Sequence, residues 1–167
     1  MFRSHTVESA PAASRPLMEA TIAEFGELAE PIARLAESPE TLDGFLHANH
    51  LFESSTLDPL SREVVVMTIA TRNGCRVCIA MHTGRLRQLK ADPDLITALR
   101  TQAPLSDQKA ERIRRFTLKA IETTGAVSDE DLDDFLKAGY TRRNALEVIL
   151  GIGTYTMSTF ANRLVKA

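Results

Sequence analysis

Apolar positions recur at intervals of three and four along nearly the whole chain, the spacing of one helical face. From Leu17 to Leu35 the repeat runs through Ile22, Phe25, Leu28, Ala29 and Ile32. Pro31 is expected to kink or split that segment, because it lacks a backbone donor. Ser38 followed by Pro39 predicts an N-cap and a first helical residue, with the helix continuing through Leu42, Phe45, Leu46 and His50. Asp58 and Pro59 repeat the signal, and the helix they open runs to about Arg72. Its residues Val64, Val65, Val66, Met67, Ile69 and Ala70 are apolar on most sides, which predicts a buried helix. Asn73-Gly74 predicts its end, since both residue types tolerate the left-handed conformation. A further helix is expected from near Cys75 to about Lys90. Asp92-Pro93 opens a short one, and Ser106 is expected to cap a longer one that stops before Gly125. Ser128, with Asp131 in the place of the usual glutamate, resembles a capping box for a helix ending near Gly139. Thr141 caps the last helix, to about Val165.

No alternating run of β-branched residues lies between turn signals, and no internal repeat is present. The expected fold class is therefore all-α, a bundle of about six to eight helices. The first residues, MFRSHTVESAPAASRP, are polar and small and carry prolines. Residues 1–16 are expected as a flexible N-terminal arm and residues 17–167 as a single helical domain. Gly151 and Gly153 in the apolar last helix predict close helix packing, within the core or against another subunit.

Composition narrows the function classes. The formal net charge is −2, so no strong pull toward nucleic acid or an anionic membrane is expected. The basic run Arg112, Arg114, Arg115 and Lys119 reads as a solvated helix face. No apolar run approaches the roughly 20 residues that span a bilayer, and the first residues lack the apolar stretch of a secretory leader. A cytoplasmic protein is expected. Aromatic residues are only 5%, so the core must be aliphatic. The chain has two cysteines, Cys75 and Cys78, too close together to staple distant segments. In a reducing compartment such a pair reads as redox or metal chemistry.

On one helix, Cys75, Cys78 and His82 point at relative angles of about 0°, 300° and 340°, at about 100° per residue. They share a face, and Cys78 and His82 are i,i+4 neighbours. Cys75 is placed in the first turn, where the helix N-terminus favours a thiolate. A histidine one turn from Cys78 can take its proton or stabilise its anion. Helical i,i+3 Cβ atoms lie about 5–6 Å apart, whereas a relaxed disulfide has about 3.5–4.5 Å. Closing the pair is therefore expected to strain the helix start, which favours a cycling bridge over a staple. Glu63 would be about 18 Å from Cys75 on one continuous helix. If Asn73-Gly74 folds the chain into an antiparallel hairpin, Glu63 comes opposite Arg85 and within about a turn of His82. A carboxylate there can orient and charge the imidazole.

Blander readings exist for each residue. The cysteines can be ordinary core residues. Cys75, Cys78 and His82 can hold zinc with His47 or His50 as fourth ligand, although structural zinc usually draws on two separate short segments. Otherwise His47 and His50 are expected at the surface or at a pocket mouth. Glu63 can be a surface charge near a helix N-terminus.

Ser-Arg-Glu63 leading an apolar helix, then Asn73-Gly74-Cys75-x-x-Cys78-x-x-x-His82, resembles the alkyl hydroperoxidase D-like branch of the carboxymuconolactone decarboxylase family. The resemblance is specific over about residues 57 to 90. More loosely, Ala145 to Leu164 is similar to the C-terminal helix of such proteins. The resemblance implies an all-helical fold, assembly into trimers or hexamers, and reduction of hydroperoxides through the cysteine pair; no cofactor and no resident metal are expected. It implies that Cys78 attacks the peroxide, that Cys75 resolves the sulfenic acid as a disulfide, and that His82 and Glu63 relay protons. It also implies a dihydrolipoamide-bearing or thioredoxin-like reductant. The best characterised hydroperoxidases carry a second histidine between the cysteines, where this chain has Val77, so the relay is shortened. Two other function classes stay open at this stage. One is a cofactor-free lyase acting through His82 and Glu63 on a carboxylated ring compound. The other is a non-enzymatic redox-sensing or zinc-binding oligomer.

Overall fold

The structure is a computed structural model and describes residues 2–167. Its described residues form nine α-helices and no strand: α1 (Arg15–Phe25), α2 (Glu30–Leu35), α3 (Pro39–Glu53), α4 (Pro59–Arg72), α5 (Arg76–Gln88), α6 (Pro93–Thr101), α7 (Gln108–Glu122), α8 (Asp129–Lys137) and α9 (Arg142–Leu164). The fold is all-α, as its apolar spacing predicts. It has one helix more than the expected upper count, because the first predicted segment divides into two.

That division falls at Gly26, not at Pro31. Gly26 adopts φ +81°, and its N–H bonds to the carbonyl of Ile22, closing α1. Glycine enters that region without a Cβ clash. Pro31 instead sits in the first turn of α2, where its missing donor costs nothing. Part of the segment expected as a flexible arm, from His5 on, lies against the helices that follow. The backbone N–H of His5 bonds to the carbonyl of Ala33 at 3.1 Å, and its ring bonds to Glu37 at 2.9 Å. Ala10 is buried beside Met18, Ile32, Leu35, Ala36 and Leu42 in a small second core.

The helix starts follow the cap residues in most places. Ser38, Asp58, Ser128 and Thr141 each accept a bond from the backbone N–H three residues on. Asp107, not Ser106, caps α7, accepting from the N–H of Ala110 at 2.7 Å. The box expected at Ser128 is only half formed: Asp131 takes the Ser128 hydroxyl at 2.9 Å instead of its backbone N–H. Aspartate is one methylene shorter than the glutamate that reaches back in a full box. Thr141 and Asn144 do form a reciprocal box.

Helix α4 is the axis of the molecule. Val64 to Ala70 are buried without interruption, and α4 packs against α3, α5, α6, α7 and α9. A helix apolar all round has no face for water, so its neighbours must enclose it. Helix α9 lies along α4 and also touches α2, α3 and α7, which ties the N-terminal helices to the main core. The two glycines of α9 serve different ends. A Cβ at Gly151 would lie 2.6 Å from Cε2 of Phe52, whereas one at Gly153 would meet nothing within 4 Å. Gly151→Ala is expected to destabilise the fold by about 1–3 kcal/mol through overpacking. Gly153→Ala should be neutral or stabilise by up to about 1 kcal/mol, as alanine does in a helix interior. Urea denaturation of the two variants at equal protein concentration checks the contrast.

No helix among the described residues is long and apolar enough to cross a membrane.

Candidate active site

Helices α4 and α5 are joined by a tight reversal at Asn73-Gly74. Of the two residues only Gly74 takes the left-handed conformation, with φ +65°. Asn73 stays right-handed and caps α4. Helix α9 clamps this turn: the Asn73 side chain donates to Oγ1 of Thr159 at 2.9 Å, and the Arg163 guanidinium donates to the Asn73 carbonyl.

Cys75 stands just before α5 as its N-cap, in extended conformation (φ −83°, ψ 97°), and Cys78 lies three residues on. The two form a disulfide with a Cα separation of 5.4 Å, inside the usual range for such bridges. Cys75 lies outside the helix, and the bridge closes while its carbonyl still accepts the helical bond from Ile79. Both sulfur-bearing residues are buried, against Ala70, Val77 and Ile79. Val77, between the two cysteines, is therefore part of the apolar wall around the bridge. The pair stands at the N-terminus of α5, whose first-turn N–H groups favour negative charge.

His82 follows one turn after Cys78 and is buried. Its Nδ1 donates to Oε2 of Glu63 at 2.8 Å. The carboxylate can only accept, so the proton of a neutral ring sits on Nδ1 and Nε2 is left with a lone pair. Glu63 is also buried, on the second turn of α4, and the hairpin brings it to His82 across 19 positions of sequence. Nε of Arg85 lies 3.4 Å from Oε1 of Glu63, and its Nη1 reaches Glu53 at 3.1 Å. Arg62 continues the chain of alternating charges, 3.5 Å from Glu53. Burial works against the charge of Arg85, but the carboxylates of Glu63 and Glu53 outweigh it and hold the guanidinium above its ordinary range. The Glu63 charge is thus balanced by a permanent cation, and His82 sits against it as an oriented donor.

Two residues of this site went unread in the sequence. The Tyr155 ring meets His82 edge-on, with centroids 5.4 Å apart, and is itself backed by Phe52 at 5.7 Å. Its hydroxyl donates to Asn49 at 2.8 Å. Burial, with Glu53 and Glu63 nearby, pushes the phenol well above its ordinary pKa, so it stays neutral and acts as a wall that fixes the imidazole plane. Asn162 places its amide nitrogen 3.4 Å from Sγ of Cys78. The available signal was a row of polar residues near helical spacing, Thr154, Ser158, Thr159 and Asn162, and all four are buried.

His47 and His50 lie exposed on α3. Among the described residues no group of three or more His, Cys, Asp or Glu side chains is placed to hold a metal ion.

Residues 21–117 match the model of the carboxymuconolactone decarboxylase family. The chain belongs to that family. Three solved structures share its fold. An alkylhydroperoxidase AhpD core, an uncharacterized peroxidase-related protein from Ralstonia eutropha JMP134, matches with TM-score 0.83 at 17% identity, covering 98% of this chain and 88% of that one. An uncharacterized peroxidase-related protein from Silicibacter sp. TM1040 matches with TM-score 0.77 at 21% identity, covering 93% and 84%. A protein of unknown function from Agrobacterium tumefaciens matches with TM-score 0.61 at 18% identity, covering 77% and 88%. No protein with a curated description matches. Within the family, the fold is that of the AhpD-like proteins, and the Cys75–Cys78 bridge with its His82–Glu63 pair stands inside the matched region.

Proposed function

We propose that this family member is a thiol-dependent peroxidase, or disulfide oxidoreductase, with an antioxidant role. The observation that carries the reading is the placement of a buried His82–Glu63 pair one helical turn from the Cys75–Cys78 disulfide at the N-terminus of α5. The fold shared with peroxidase-related proteins adds to it.

In the reduced pair, Nε2 of His82 takes the proton of the Cys78 thiol, and Nδ1–H stays on Glu63. The thiolate attacks the terminal oxygen of a hydroperoxide. The S–O bond forms, the O–O bond breaks, and the alkoxide leaves as an alcohol with the proton that His82 returns. Cys78 is now a sulfenic acid. Cys75 gives its thiol proton to His82, its thiolate attacks the Cys78 sulfur, the disulfide forms, and the hydroxide departs as water with the proton that His82 returns. A dithiol of the dihydrolipoamide or thioredoxin class then reduces the bridge by exchange. The net change is one peroxide and two external thiols converted to an alcohol, water and an external disulfide.

The reading extends to a homo-oligomer, trimeric or hexameric. Its support is a stripe on α9 at helical spacing, where Leu146, Ile149, Phe160 and Leu164 are 73%, 42%, 59% and 67% exposed. Monomeric proteins rarely leave such a row uncovered.

The test uses single-cysteine variants. Cys75→Ser treated with one equivalent of peroxide should hold a sulfenic acid at Cys78, trapped by dimedone and located by mass spectrometry. Cys78→Ser should lose peroxide turnover. If Cys78 stays a thiol in the first variant and the second retains full activity, the roles are wrong. Turnover of a carboxylated lactone that survives loss of both thiols would replace the redox reading with a lyase.

A further inference from the structure

Asn162 lies near the end of α9 and is 4% exposed. Its Nδ2 donates to Sγ of Cys78 at 3.4 Å and approaches Oγ of Ser158 at 3.5 Å. Its Oδ1 is buried and has no hydrogen-bond partner among the described residues. A bridged sulfur has no hydrogen to give, so the amide presents its nitrogen to it. This is a poor use of a buried amide. A disulfide sulfur is a weak acceptor, and an orphaned buried carbonyl loses its hydration without compensation. The side chain is therefore mismatched to the oxidised form.

The match improves once the bridge opens. The Cys78 thiolate is a charged acceptor, and a bond from Nδ2–H to it is charge-assisted. When that sulfur carries a hydrogen or a hydroxyl, as thiol or sulfenic acid, the hydrogen has an acceptor in the adjacent Oδ1. One amide thus offers a donor for the anion and an acceptor for the protonated or oxygenated sulfur. We propose that Asn162 is a catalytic residue that stabilises the Cys78 thiolate through Nδ2–H and receives the sulfenic acid hydroxyl at Oδ1. The proposal deepens the peroxidase reading and rests on it for the second of these roles.

The experiment reads the sulfur directly. In a Cys75→Ser background, the rate of Cys78 alkylation by iodoacetamide is measured against pH for Asn162, Asn162→Ala and the isosteric Asn162→Asp. The half-point should rise by about one pH unit in the alanine variant, the size of a lost bond to an ion. It should rise further in the aspartate variant, where a carboxylate faces the thiolate. With both cysteines present, peroxide consumption by Asn162→Ala at neutral pH should fall about tenfold and recover above the new half-point. A purely structural asparagine would lower the melting temperature without moving the half-point, and that result in a folded variant overturns the proposal. If neither variant folds, the wild-type side-chain amide proton of Asn162 decides by NMR. It must shift on reduction of the bridge and titrate with Cys78, and no shift overturns the proposal. An unmoved half-point with normal peroxide turnover defeats Asn162 alone. A moved half-point in a protein that consumes no peroxide defeats the peroxidase reading alone.

Discussion

Exchanging His82 for asparagine is expected to slow the reaction of the reduced protein with hydroperoxide at neutral pH by about 10²–10⁴-fold, the usual contribution of a positioned general base. Asparagine is the informative choice. Its amide nitrogen occupies roughly the place of Nδ1 and can still donate to Glu63, which now accepts that bond at 2.8 Å. What disappears is the basic Nε2, one turn from Cys78. The carboxylate keeps a donor and also keeps Arg85, so the fold should lose little. The deficit should shrink at high pH, where the thiol ionises without help. Stopped-flow peroxide consumption under excess reductant gives the rate, and a two-thiol titration confirms that the cysteines are intact. A variant that reacts within about twofold of wild type at neutral pH, against the range expected for a base, would remove His82 from the chemistry.

Removing the carboxylate acts differently. Glu63→Ala is expected to cost about 3 kcal/mol of stability, from an orphaned buried N–H on His82 and the cavity left by the missing side chain. For a domain of this size that is about 6–12 °C in Tm. The Glu63 side chain is only 4% exposed, whereas Arg85 is 46% exposed and can turn to Glu53 or water, so the loss falls mainly on His82. Glu63→Gln preserves the shape and an acceptor for Nδ1–H, and should cost only about 1 kcal/mol, an ordinary hydrogen bond. It nonetheless removes the charge that supports an imidazolium, so peroxide reactivity should fall in both variants. Thermal and urea unfolding at equal concentration, paired with the peroxide rate, separate the two effects. Equal stability of the alanine variant and wild type would mean that Glu63 is not the buried partner of His82.

Much of this arrangement is local and hence legible in the chain. Ser38, Asp58, Ser128 and Thr141 announce helix starts because a cap acts within three residues of itself. Cys78 and His82 are neighbours because helical periodicity acts within a turn, and Cys75 precedes their helix as its N-cap. Glu63 was reachable because the Asn73-Gly74 turn lies between two predicted helices and only one antiparallel hairpin follows from it. Where local signals compete, the reading slips. Pro31 outweighed Gly26 as the expected break, although the glycine closes α1 and the proline opens α2. Ser106 and Asp107 are adjacent cap residues, and the carboxylate took the role.

The cysteine pair, its histidine and the helix they open belong to the sequence, since short-range geometry alone gathers them at the start of α5. Tertiary structure decided what surrounds that face. Tyr155 and Asn162 reach His82 and Cys78 from α9, across separations of more than 70 positions. Glycine at position 151 lets that helix approach Phe52 closely enough to do so. The His5 segment likewise took its place only through contacts with Ala33 and Glu37. Such contacts depend on how whole helices pack, and packing is set by the summed shape of the buried surfaces rather than by the spacing of any residues along one of them.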